Sequence, residues 1–155
     1  LIAEQFDQQN FKVIAIENYV ETISHVDIVS CATLSKEPLV FGKLLKEGQH
    51  LDLVGAYKKD MREADDEAVR RSSVFIDTFQ GGLKESGDIV IPLQNGSLKD
   101  TDIKADLFGL CSGGHKGRQS DREITFFKSV GHASEDLIGA RYYFGQWKDK
   151  DVLKQ

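Results

Sequence analysis

The sequence predicts an α/β fold, a mostly parallel sheet flanked by helices. Residues 26–31 are rich in β-branched side chains, as a strand buried on both faces requires, and further strand runs stand at 49–54, 74–77 and 124–130. Between such runs the apolar spacing changes from 2 to about 3.6, the pattern of helices alternating with strands. At 155 residues the chain has the size of one domain, which buries about two thirds of its unfolded surface and can fold alone.

In order along the chain, Leu1, Ile2 and Phe6 have helical spacing that Asn10 ends, so the first residues read as the tail of a helix. Residues 11–16 alternate as a short strand. Tyr19, Val20 and Ile23 return to helical spacing before His25, and the run from Val26 to Cys31 completes a strand-helix-strand unit. Residues 49–54 give another strand ending at Gly55, Asp65 is placed to cap a helix through Arg71, and residues 74–77 form a further strand. Helices are expected at 79–83 and 101–110, separated by a loop that contains Pro92 and Asn95-Gly96. Ser120 and Glu123 match a capping box, yet the run behind them has strand character, so they read as a turn entering the last strand. The last helix is expected over 133–143 with Ala133, Leu137, Ala140 and Phe144 on one face, and Trp147 with the charged tail reads as a helix end.

Composition excludes several functions. The net charge is -5 and the 20 basic residues are scattered among 25 acidic ones, which leaves no basic cluster to neutralise phosphates, so no nucleic acid is expected as partner. No apolar run approaches the ~20 residues that cross a bilayer, so no membrane association is expected. Glu4 and Asp7 interrupt the stretch where a signal peptide would need its apolar core, and a start at Leu1 in mid-pattern fits a trimmed or dissected protein. The two cysteines, Cys31 and Cys111, lie far apart without metal-ligand spacing, which points to a reducing compartment and a cytoplasmic protein.

Ligands of open parallel sheets bind beyond the carboxyl ends of the strands, where the strand order reverses. Three such ends carry small or hydroxylated residues that let a flat cofactor approach: Ala32-Thr33, Gly55-Ala56-Tyr57 after Val54, and Ser129-Val130-Gly131. A structural alternative stands beside each, since Gly55 and Gly131 could close turns while Thr33 or Ser129 caps the next helix. Other signals read as structural. The run from Ser112 to Arg118 has glycines and basic residues but fails Walker spacing, which leaves a surface loop. His25, His50, His115 and His132 are dispersed where a metal site needs about three convergent ligands, so no metal is expected. Cys31 has no His or basic cluster beside it in sequence and reads as a small buried residue rather than a nucleophile.

The stretch Ile124-Thr125-Phe126-Phe127-Lys128-Ser129-Val130-Gly131, with Val54-Gly55-Ala56-Tyr57 and Asp60-Met61-Arg62-Glu63, resembles the ornithine cyclodeaminase/μ-crystallin family. Glu37-Pro38, Gly87-Asp88, Ile91-Pro92-Leu93, Gly117-Arg118 and Glu135-Asp136-Leu137 follow in the same order, so the resemblance spans nearly the whole chain. It implies the C-terminal half of a two-domain, NAD(P)-dependent enzyme of small amino and imino acids. Residues 1–132 would be a truncated NAD(P)-binding domain, Rossmann-like but lacking the first strand and its glycine-rich turn. Residues 133–155 would be a helix and tail that pack on the missing substrate and dimerisation domain. The resemblance further implies that Thr33, Val54, Gly55, Ala56 and Tyr57 line the nicotinamide and ribose, that Ser129 contacts the nicotinamide, and that Val130 touches the substrate.

Two residues depart from the family pattern. The position of Tyr57 resembles an aspartate that holds the side-chain amine of ornithine in the cyclodeaminases, and a phenol with an ordinary pKa of about 10 carries no charge for an ammonium. A reductase of pyrroline-2-carboxylate or a similar imino acid is therefore favoured over an ornithine cyclodeaminase, and Tyr57 has no assigned catalytic role. Lys59 stands where the family usually has proline, which loosens a loop. Since the family's pyrophosphate grip and its substrate-binding basic residues would precede Leu1, the chain alone is expected to be inactive and the full-length parent a homodimer through the missing domain. The choice between NAD and NADP is made at a strand end before Leu1. The alternative, from another class, is a noncatalytic crystallin-like binding or structural protein that retains the fold.

Overall fold

A computed structural model of the chain describes residues 11–152, so the helix tail read at Leu1, Ile2 and Phe6 lies outside the described residues. Five strands form one parallel sheet in the order β1-β2-β5-β3-β4: β1 Ile28–Cys31, β2 His50–Leu53, β3 Ser72–Ile76, β4 Ala105–Asp106 and β5 Ile124–Lys128. The strand that comes last in the chain lies in the middle. Leu51 of β2 and Val74 of β3 are both register partners of Phe126 in β5, and all three are buried.

Register partners of a parallel sheet share a face. Val29, Leu51, Phe126 and Val74 form one row, and Cys31, Leu53, Lys128 and Ile76 form the next on the same side. This face packs into the core with Ile23, Val40, Val69, Ile89 and Leu98, which is why the strands read as near-continuous apolar runs. The opposite face carries Ile28, His50, Thr125, Phe127 and Phe75, and its cover is partial. His115 meets the edge of Phe75 at 5.3 Å between ring centroids, while Ile28 is 63% exposed.

The helices are α1 Tyr19–Thr22, prolonged by a 3-10 turn Ile23–His25, α2 Asp66–Arg71, α3 Phe79–Gly82, α4 Gly87–Asn95, α5 Leu107–Cys111 and α6 Ala133–Val152. The Asp65 cap is present: its Oδ1 accepts from the Ala68 amide at 2.8 Å. Asp66 and Glu67 in the first turn and Arg70 and Arg71 in the last complement the helix dipole.

Three expectations need correction. Residues 11–16 form no strand, and Ile14 and Ile16 are exposed; alternation gives a strand only where a neighbouring strand and a buried face receive it. The segment around Pro92 is helix, not loop. Proline removes one N–H donor, whereas Ile89, Val90 and Pro92 are all buried; Ser86 caps the start and Gly96, at φ 80°, ends it in the left-handed conformation. The expected helix over 101–110 is broken by β4. The open edge of β3 captures these residues, with the Lys104 amide donating to the Val74 carbonyl at 2.8 Å, and Asp106 then caps α5. The last helix runs past Tyr143 to Val152, and Leu137, Ile138, Phe144 and Trp147 on it are exposed.

Phe126 is fully buried at the sheet centre, so Phe126→Ala should cost about 3–5 kcal/mol in urea unfolding; a loss near zero would show that β5 does not carry the core.

Candidate functional site

Because β1, β2 and β5 are neighbours, their carboxyl ends lie side by side and bring together the three turns that the sequence singles out. Backbone bonds continue past the strands: the Val54 amide donates to the Cys31 carbonyl at 2.8 Å, Ala56 to Thr33 at 2.8 Å and Ser129 to Leu53 at 3.0 Å. Thr33, Ser129 and Val130 are half-buried, Val54 and Tyr57 are 49% and 47% exposed, and Gly55 and Ala56 are buried. The named residues thus divide into an outer rim and an inner backing.

The backing has tight geometry. A Cβ on Gly55 would lie 2.2 Å from the Thr33 nitrogen and carbonyl oxygen, so only glycine fits against the β1 turn. Ala56 has φ 47°, a left-handed conformation that costs an L residue about 1–2 kcal/mol. Ser86 offsets it, donating its hydroxyl to the Ala56 carbonyl at 2.7 Å while capping α4. The amides of Gly55 and Ala56 are both committed to the β1 turn, so these two residues shape the rim rather than present donors to a ligand.

Two buried polar centres hold the turns. Asp77, at the end of β3, accepts from the Thr78 amide at 2.6 Å through Oδ1; its Oδ2 accepts from the amides of Val130 at 2.7 Å and Gly131 at 2.9 Å and from the Ser129 hydroxyl at 3.3 Å. Lys128 is the second centre. Its Nζ donates to the Gly55 carbonyl and lies 3.5 Å from Asp88 Oδ2 and 3.9 Å from Glu63 Oε2, and all three side chains are fully buried. Glu63 Oε1 accepts from the Thr33 amide at 2.6 Å, and Asp88 Oδ1 from the amides of Glu63 at 2.7 Å and Ala64 at 3.0 Å. Burial pushes the Asp88 carboxyl up, against the pull of the Ala64 amide and Lys128. Burial pushes the Lys128 ammonium down, against Asp88 and Glu63.

None of these holding residues was assigned a role by sequence reasoning. Glu63, Asp88 and Lys128 stood within the quoted motifs, but only the out-of-pattern lysine in the strand run Ile124–Lys128 signals a buried charge. Cys31 is half-buried and its thiol is raised to about 11, by burial first and then by Glu63, Asp88 and Asp52, which makes it inert near neutral pH. The run from Ser112 to Arg118 is an exposed loop whose Arg118 braces the Thr125 hydroxyl at 3.0 Å and the Gln49 carbonyl at 3.2 Å. A cleft of about 690 Å3 on the less covered sheet face, lined by His50, Phe75, Arg118 and Phe127 among others, contains none of the rim residues. Among the described residues no three His, Cys, Asp or Glu side chains converge as metal ligands, and no helix is long and apolar enough to cross a membrane.

The parallel sheet, its flanking helices and the turns gathered at one carboxyl edge make this a Rossmann-like α/β domain. The chain belongs to the ornithine cyclodeaminase/mu-crystallin family, whose model matches residues 2–151. It is 36% identical over 141 residues to the Δ1-pyrroline-2-carboxylate reductase of Paracoccus denitrificans, an alignment that covers 91% of this chain and 45% of that protein. The solved complex of the Thermococcus litoralis Δ1-pyrroline-2-carboxylate reductase with NADH and L-proline has 40% identity and a TM-score of 0.82, covering 88% of this chain and 42% of the other. A probable ornithine cyclodeaminase from Bordetella pertussis has 34% identity and a TM-score of 0.71, covering 81% and 40%. The chain thus spans less than half the length of these relatives.

Asp77→Ala would leave the amides of Thr78 and Val130 without their acceptor and that of Gly131 with the Ser129 hydroxyl alone, and should cost about 3 kcal/mol and raise hydrogen exchange at Val130. The raised carboxyl of Asp88 gives a second expectation. Its contribution to stability is fully present below the unfolded carboxyl value of about 3.9 and is lost as pH rises through the higher folded value. In Asp88→Asn that loss disappears, so the stability of the variant minus that of the wild type should increase with pH across this window in urea unfolding. A constant difference would contradict the raised value.

Proposed function

We propose that this chain is the cofactor-binding part of an NAD(P)-dependent reductase of small cyclic imino acids such as pyrroline-2-carboxylate. The observation that carries the substrate choice is Tyr57, which stands half-exposed on the rim where the resemblance to cyclodeaminases calls for an aspartate. Its uncharged phenol offers no partner to the side-chain ammonium of ornithine, whereas a cyclic imine brings no such group. Similarity to reductases, one of them solved with NADH and L-proline, supports the same reading.

The rim fits a nicotinamide. Thr33 and Ser129 supply hydroxyls, Val54 and Val130 supply apolar walls, and buried groups fix the turns that carry them. When bound, the nicotinamide exchanges a hydride with the substrate carbon. Thr33, Val54 and Tyr57 line its ribose side with Gly55 and Ala56 as their backing, Ser129 faces the ring, and Val130 faces the substrate. The pyrophosphate grip lies outside this chain: among the described residues β1 pairs with β2 alone, which leaves its outer edge for the strand that carries a glycine-rich turn. The chain by itself is accordingly inactive.

Residues 1–132 form the cofactor domain in this reading. Residues 133–155 pack on a substrate and dimerisation domain through the exposed Leu137, Ile138, Phe144 and Trp147 of α6, and the full-length parent is a homodimer. Free Cys31 and Cys111 fit a cytoplasmic protein.

The test is a product balance on the full-length parent, supplied with Δ1-pyrroline-2-carboxylate and NADH or NADPH. Reduced cofactor should be consumed in proportion to proline formed, with no ammonia released from ornithine. Ammonia release without net oxidation would assign a cyclodeaminase instead, and binding of neither cofactor would leave the noncatalytic reading.

A further inference from the structure

Lys128 breaks the pattern of its strand. It follows Ile124, Thr125, Phe126 and Phe127 and shares a core row with Cys31, Leu53 and Ile76, yet its ammonium is fully buried. Stability alone does not explain such a group, because replacing buried ions by apolar side chains of similar volume is often neutral or stabilising. Its contacts suggest what it does. Asp88 Oδ2 and Glu63 Oε2 are buried with no hydrogen-bond partner, so the ammonium 3.5 and 3.9 Å away provides their nearest compensation. The other oxygen of each carboxylate is bound to backbone amides.

Each contact leads to a turn of the rim. Glu63 holds the Thr33 amide after β1; Lys128 holds the Gly55 carbonyl after β2 and is itself followed by Ser129 after β5. Asp88 lies in the first turn of α4, whose capping Ser86 holds the Ala56 carbonyl. One side chain therefore ties together all three strand ends that meet the cofactor in the reading above.

Resting on that reading, we infer that Lys128, with Glu63 and Asp88, is a positioning residue that sets the nicotinamide-side turns in register with one another without touching cofactor or substrate. Two carboxylates thus face one ammonium, and burial pushes the Asp88 carboxyl up. Hydride transfer is sensitive to this register, since a displacement of about 1 Å can cost about 10²-fold in rate.

The test compares the full-length parent with its Lys128→Met variant. NADH and NADPH are titrated first by fluorescence, and turnover of Δ1-pyrroline-2-carboxylate is then expressed per cofactor-occupied site. The variant should turn over about 10²-fold more slowly per occupied site, with a much smaller change in cofactor dissociation constant. Equal turnover per occupied site would reduce the cluster to a structural one and overturn the proposal. If Lys128→Met does not fold, Glu63→Gln carries the test: it keeps the shape and the acceptor for Thr33 but turns an amide toward the ammonium. Slower turnover per occupied site at an unchanged melting temperature supports positioning, and unchanged turnover overturns it. A wild-type parent that binds neither cofactor overturns the functional reading itself, and with it this proposal, before any variant is made.

Discussion

The position of β5 between β2 and β3 governs the rest of the molecule. Phe126 has Leu51 and Val74 as neighbours in its row, and the pairing of His50 with Thr125 joins residues 75 apart in the chain. The core face of the sheet is therefore incomplete until the last strand inserts. Such non-local closure makes folding slow relative to helical domains, because loop entropy is lost before the contacts return it. The same insertion has a functional consequence. It delivers Ser129-Val130-Gly131 beside the turn after β2, so the event that completes the core also assembles the rim.

Assembly at the carboxyl edge concentrates polar backbone where water is scarce, and buried side chains answer it. Asp77 serves the turn after β5, Ser86 the strained Ala56, and the cluster of Lys128, Glu63 and Asp88 the turns after β1 and β2. Glu63 and Asp88 each use one oxygen on backbone N–H groups and Asp77 uses both, the geometry that makes a buried charge tolerable. Rim and backing thereby separate in role. Gly55 and Ala56 are buried with their amides spent inside the protein, whereas Val54 and Tyr57 stand exposed and Thr33, Ser129 and Val130 half-buried.

The sequence made four of the five strands legible as short runs with apolar residues that close on a turn, as in Leu53-Val54-Gly55. β4 was not legible, since two residues carry no period and are strand only because β3 offers an edge. Pro92 misled for a related reason: local propensity argues against a helix there, and burial of Ile89 and Val90 overrides it. At the site, the small and hydroxylated residues at strand ends pointed to the rim. The holding residues were hidden because nothing in the local spacing around Glu63, Asp77 and Asp88 tells a buried acid from an exposed one. Lys128 alone gave a signal, as a cation inside an apolar strand.

Many of the exposed apolar side chains among the described residues fall in groups. They gather at Ile14, Ile16 and Tyr19 ahead of the sheet, at Ile28 on the strand with one unpaired edge, and along α6 from Leu137 to Trp147. Single exposed apolar residues are ordinary, but grouped ones mark surfaces that another body covers. The core face needs no such cover, since Leu51, Leu53, Ile76 and Phe126 are already closed over. Ile16, Tyr19 and Ile28 line one shared hollow beside β1, and the third group projects from α6.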